Sequence, residues 1–185
     1  YRSGSDEAVA PLEGGYEEYS ESTYRSPGWS EVYVVTAQTP TSLTLQADLR
    51  NGLRATRVIS LDAEKSVVSV TSTLTNVSES VRTACLRTHP EFAVRSLTQA
   101  SARVLRPDGS CQTIRLPNER DPATEVNEFL SGEDVPAGAW AVVDEAAGLA
   151  IVNRFSREHI SQALLNRSGS SNRVNLELYS VEREL

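Results

Sequence analysis

The sequence is poor in most of what marks a common function class. It has no methionine, one lysine (Lys65), two cysteines (Cys85, Cys111) and two histidines (His89, His159). No run of about 18 apolar residues occurs, so no helical span and no membrane partner are expected. No signal peptide is visible. Clustered basic residues are missing too. With a net charge of −7 and a pI near 4.9, binding to a phosphate backbone is not expected, so nucleic acid is excluded as a partner. Two cysteines build no disulfide framework; a single Cys85–Cys111 bridge is one reading, and two buried thiols is the favoured one. The chain starts at Tyr1 without any methionine, which leads to the expectation that it is a trimmed or partial product.

Other absences narrow the chemistry. No Gly-x-Ser-x-Gly elbow and no glycine-rich phosphate loop occur. His89, Glu91 and His159 match no metal-ligand spacing, so no metal is expected. Among 25 acidic residues, no glycosidase pair can be singled out. Asn76-Val77-Ser78 and Asn166-Arg167-Ser168 match the glycosylation pattern at about the chance rate for a chain rich in Ser and Thr. The basic residues are nearly all arginine, which favours planar, bidentate hydrogen bonding. A GC-rich genome produces the same bias.

What is present is two-residue periodicity. Glu31–Ala37 reads as a strand and Gln38–Ser42 as a turn. Leu43, Leu45, Ala47 and Leu49 alternate with polar residues, the mark of a half-buried strand. Asn51-Gly52 is a strong hairpin signal. The next strand puts Leu53, Ala55, Ile59 and Leu61 on one face. After a turn at Asp62–Lys65, Val68, Val70, Ser72 and Leu74 share a face opposite a Ser/Thr row. From Val81 onward Thr83, Cys85, Arg87, His89 and Glu91 share a phase, and Pro90 predicts a strand end or an edge. Hairpins are expected about Arg106–Gly109 and about Glu145–Gly148. Pro117–Glu125 reads as a polar loop, His159–Leu165 as helix or strand, and Asn166–Asn172 as a turn. Val174, Leu176 and Leu178 close the pattern. Some nine to eleven short strands without a long helix predict an all-β antiparallel β-sandwich. Residues 1–27 read as an N-terminal arm or part of a preceding region, and 28–185 as the sandwich. Tyr16, Tyr19, Tyr24, Trp29 and Tyr33 lie close together, so this stretch is expected to pack on something.

Arg87, His89 and Glu91 form the densest polar cluster. Histidine exchanges protons near neutral pH. Carboxylate and guanidinium groups bind paired hydroxyls. With an aromatic ring from Trp29 or Tyr33, these are the parts that recognise a sugar. Solvent-facing residues at a strand end, with the aromatics in the core, would give the same pattern.

The succession Gly52-Leu53-Arg54-Ala55-Thr56-Arg57-Val58-Ile59-Ser60-Leu61, Ser72-Thr73-Leu74-Thr75-Asn76-Val77-Ser78 and Arg87-Thr88-His89-Pro90-Glu91-Phe92 resembles the galactose mutarotase-like (aldose 1-epimerase-like) supersandwich family. Asn175-Leu176-Glu177-Leu178-Tyr179-Ser180 looks like a late strand of such domains. The resemblance covers roughly residues 28–180. It implies a galactose mutarotase-like supersandwich, incomplete mainly at the N-terminus, with a sugar ligand in a cleft on a curved sheet and no cofactor. His89 matches the family's general acid, and Glu177 is the candidate base. Arg87, Glu91, Trp29 and Tyr33 are the candidate substrate-binding residues. Two departures stand out: the family's aromatic-rich stretch after the histidine is replaced by Pro90-Glu91-Phe92, and a complete family domain is longer. A non-catalytic module of a larger carbohydrate-active protein, such as a glycoside hydrolase, is the alternative, with another domain or chain completing the sheet.

Overall fold

A computed structural model describes residues 15–23, 25–116 and 124–185. The strands are β1 (Gly15–Tyr19), β2 (Val34–Thr39), β3 (Ser42–Asp48), β4 (Leu53–Asp62), β5 (Val67–Asn76), β6 (Thr83–Ala84), β7 (Arg87–Ala93) and β8 (Ala100–Leu105). They continue as β9 (Cys111–Arg115), β10 (Glu125–Ser131), β11 (Ala139–Asp144), β12 (Leu149–Arg154), β13 (Ile160–Ser168), β14 (Arg173–Ser180) and β15 (Arg183–Glu184). The helical content among the described residues is three single-turn 3₁₀ segments. The fold is therefore all-β, as the alternation predicts. The described residues fall into two compact units, one of 18–86 and 182–185, the other of 15–17 and 87–181.

The first unit is a four-stranded antiparallel meander in the order β2-β3-β4-β5, with the small β15-β6 pair. The Asn51-Gly52 hairpin forms as expected: Gly52 has φ +82, and its N–H donates to the Leu49 carbonyl. The core is small, built from Ala47, Leu49, Leu53, Ala55 and Ala84 with Tyr33 and Leu74 against it. The face begun by Leu53 and Ala55 does not stay covered to its end, because Leu61 and its neighbour Val68 are exposed. The first strand starts at Val34 rather than Glu31 and runs on through Thr39, with every residue exposed. Ser20 ties the preceding segment back on itself, its N–H and hydroxyl both donating to the Pro27 carbonyl. Gly28 is required there, because its φ is +113 and a Cβ would meet the Glu18 carbonyl oxygen at 2.6 Å.

The second unit is a two-layer sandwich. One layer is the five-stranded sheet β1-β7-β14-β13-β10, and the other is the four-stranded sheet β12-β11-β8-β9. Strand periodicity decides the core: Val174, Leu176 and Leu178 of β14 and Ala163 and Leu165 of β13 face Ala100, Ala102, Val104, Trp140 and Val142 of the other layer. At about 25 cal/mol per Å² of buried apolar surface, this larger set outweighs that of the first unit, whose buried core is mostly alanine.

Several local expectations need correction. Pro90 does not end its strand: β7 continues to Ala93 between β1 and β14. The β7–β14 ladder instead lacks its pairs at positions 89 and 90, where proline has no N–H to donate. Residues 160–168 are strand throughout, so the polar run after Asn166 turns only at its end. The Asn166 side chain makes its hydrogen bonds across strands, to Glu125 and Asn127, and the local side-chain bonds begin at Ser168. Cys85 is buried but Cys111 is exposed. The Pro117–Glu125 loop lies almost wholly outside the described residues, as does Tyr24; Glu125 itself begins β10, a strand the periodicity did not reveal.

Candidate functional site

The site is built on the other face of the five-stranded sheet. In β14 the apolar phase Val174, Leu176, Leu178 enters the core, so the alternate phase Arg173, Asn175, Glu177, Tyr179 must face away from it. The β7–β14 register pairs Asn175 with Glu91 and Tyr179 with Arg87. Carried through the gap at Pro90, the same register sets Glu177 opposite His89. Sheet pairing thus gathers residues some ninety positions apart in the chain.

Glu177 is the centre, only 2% exposed. Arg87 Nε donates to its Oε2 at 2.7 Å, and a second guanidinium nitrogen lies at 2.7 Å from the same oxygen. Tyr179 Oη donates to Oε2 at 3.1 Å. The Arg87 guanidinium also lies over the Tyr179 ring, 5.1 Å from its centroid. A buried carboxylate needs such partners, since an uncompensated charge there costs several kcal/mol. They occupy Oε2 and leave Oε1 facing His89 Nε2 at 3.3 Å.

His89 is held from three sides. Its side chain is 13% exposed, with Nε2 also 3.1 Å from Asn175 Nδ2 and Nδ1 3.7 Å from Glu17 Oε2. When the amide donates, Nε2 carries the lone pair and the ring proton sits on Nδ1, toward Glu17. In the imidazolium both nitrogens carry protons, and each faces a carboxylate. Asn175 is buried, and its Oδ1 has no hydrogen-bond partner among the described residues. One step along the same face, Arg173 pairs with Glu91 at 3.2 Å.

Of the six residues singled out from the sequence, Arg87, His89, Glu91 and Glu177 share this face. Trp29 and Tyr33 belong to the first unit. There Arg25 stacks on Trp29 and Arg57 on Tyr33, 4.8 and 4.9 Å from the ring centroids. Burial pushes the Tyr33 hydroxyl above its ordinary value, against the opposing effect of Arg57. Glu17, Asn175, Tyr179 and Arg173 were missed. The signal for three of them was available in the polar phase of β14, which the apolar alternation of Val174, Leu176 and Leu178 implies. Glu17 had none, because it sits in a stretch without periodicity. Among the described residues no three His, Cys, Asp or Glu side chains gather as metal ligands.

No protein-family model matches the chain, and no curated protein sequence does. Solved structures do. The Slr1438 protein from Synechocystis sp. PCC 6803 superposes with a TM-score of 0.63 at 14% identity, over 80% of this chain and 55% of its own. A protein from Escherichia coli K12 named "Putative aldose 1-epimerase" superposes with a TM-score of 0.60 at 19% identity, over 83% of this chain and 59% of its own. The chain therefore has an aldose 1-epimerase-like, that is galactose mutarotase-like, fold. It spans a little over half the length of these structural neighbours.

Proposed function

We propose that the chain is a sugar-binding domain that interconverts the anomers of an aldose. The observation that carries this reading is the 3.3 Å approach of His89 Nε2 to Glu177 Oε1 on the polar face of the sheet. An acid and a base side by side are what a hemiacetal needs. His89 as imidazolium gives a proton to the ring oxygen while Glu177 takes the proton of the anomeric hydroxyl. The C1–O5 bond breaks and an aldehyde forms. Rotation about C1–C2 and reversal of both transfers close the ring on its other face, with each proton returned. Arg87 and Tyr179 fix the carboxylate, Asn175 and Glu17 fix the imidazole, and Glu91 with Arg173 offers hydrogen bonds to further hydroxyls. The test is exchange spectroscopy by NMR on a panel of hexoses, pentoses and uronic acids. His89→Ala should abolish catalysed anomer exchange while leaving the fold intact. Exchange at the wild-type rate in that variant would end the proposal.

One observation favours the second reading, a binding module without catalysis. Glu177 is almost fully enclosed by partners of its own chain. That reading predicts sugar binding with no effect on anomer exchange. In either reading we propose that another domain or chain pairs with an exposed sheet edge. The outer strand β12 of the second unit, with Leu149, Ile151 and Val152 exposed and no second neighbouring strand among the described residues, suits such pairing.

A further inference from the structure

The polar face extends well beyond Glu177. Register carries it across two more strands: Glu177 lies opposite Leu164 of β13, and Leu164 opposite Phe129 of β10. The adjoining row runs Glu91, Asn175, Asn166, Asn127. In it Asn166 Nδ2 donates to Asn127 Oδ1 at 2.8 Å and to Glu125 Oε1 at 2.6 Å. Phe129 is 58% exposed, whereas its neighbour Leu130 turns into the core. Phe129 lies outside the core of this unit and stands more than half bare beside the buried Leu164, on a face that also carries amides and carboxylates. Asn175, 5% exposed and aimed into the same face, keeps Oδ1 unpartnered.

Spacing decides what such a face can hold. Phe129 is two strands from Glu177, about 10 Å at the usual strand separation and farther than one pyranose ring spans. A free monosaccharide seated on His89 and Glu177 would leave Phe129 unused. We propose that the ligand is a reducing oligosaccharide. Its terminal hemiacetal ring lies over His89 and Glu177, and the chain runs across β13 toward β10. Asn175 Oδ1 and the Asn166–Asn127 row take hydroxyls, and a following ring lays its C–H face on Phe129. This inference rests on the reading of His89 and Glu177 as a sugar site.

Calorimetric or NMR titration of the whole chain with glucose, xylose and galacturonic acid, each against its 1,4-linked dimer and trimer, tests it. One oligomer should bind about tenfold more tightly than its monomer, the size of a single stacking contact. Phe129→Ala should erase that gain and leave monosaccharide affinity unchanged, and Phe129→Tyr should retain it. If monosaccharides bind in a His89-dependent way and oligomers gain nothing, the inference falls and the sugar site stands. Equal weakening of both ligands by Phe129→Ala also overturns it. If no sugar binds the wild-type chain, the inference and the reading beneath it fall together.

Discussion

Two buried glutamates, one in each unit, are built from the same parts. In the first unit Glu18, 4% exposed, accepts from Arg57 Nε at 2.8 Å, and Arg57 lies over the Tyr33 ring. In the second, Glu177 accepts from Arg87, and Arg87 lies over the Tyr179 ring. The difference is in the remaining oxygen. Ser72 donates its hydroxyl to Oε1 of Glu18, which closes that cluster. Oε1 of Glu177 faces an imidazole that is itself partly exposed and that leans on a second carboxylate. A Glu–Arg–Tyr unit is thus a way to bury a carboxylate, and it reads as structure or as chemistry according to what meets its last lone pairs. Buried charge alone would have marked both clusters equally.

The largest expected effect separates the two glutamates. Glu177→Gln keeps the volume and removes the base, so catalysed anomer exchange should fall about a thousandfold, within the usual range for a general base. Glu18→Gln should leave exchange unchanged. Equal loss in both variants, measured by exchange spectroscopy, would erase the distinction. Next in size is the loss of a counter-ion. Arg57→Ala strands a buried carboxylate and should cost about 3–5 kcal/mol in urea unfolding. Its sugar affinity, measured below the unfolding transition, should not change.

Smaller effects sharpen the comparison. Ser72→Ala and Tyr179→Phe each remove one hydroxyl donor from a carboxylate and should cost about 1.5–3 kcal/mol in stability. Only Tyr179→Phe should also slow exchange, because it frees the carboxylate proposed as the base to move. The smallest effect concerns acid. The Arg95 N–H, with that of Ala147, holds the Asp144 carboxyl below the usual carboxylate range. A lowered folded value stabilises above the ordinary range and is lost as pH falls below about 4 toward the folded value. Asp144→Asn should therefore lower stability at neutral pH and flatten the acid limb, with little difference from the parent chain at the lowest pH. An unchanged acid limb would show that the two backbone donors do not act on Asp144 in this way.

Much of the fold was legible because strand alternation is local. Leu53 and Ala55, or Val174, Leu176 and Leu178, reveal a buried face without reference to any partner strand. Turn chemistry at Asn51-Gly52 and Asp108-Gly109 was legible for the same reason, since both glycines have positive φ. The site was legible only on β7, where Arg87, His89 and Glu91 share a phase. The resemblance supplied Glu177 and the polar phase of β14 implied Asn175, but nothing local supplied Glu17 or Phe129. Pro90 misled, because its missing donor can be absorbed as a gap in a ladder rather than as an edge.

The sequence by itself determined the all-β class of the fold, which residues of most strands share a face, and where most of those strands turn. Those follow from backbone geometry with a period of two and from the φ preferences of Gly, Asn and Pro. The tertiary structure alone decided register. Pairing β7 with β14 brings Glu177 to His89, and pairing β14, β13 and β10 brings Phe129 into their row. Register depends on which long-range apolar contacts close the core, and a one-residue slip would have turned every one of those polar side chains to the other face.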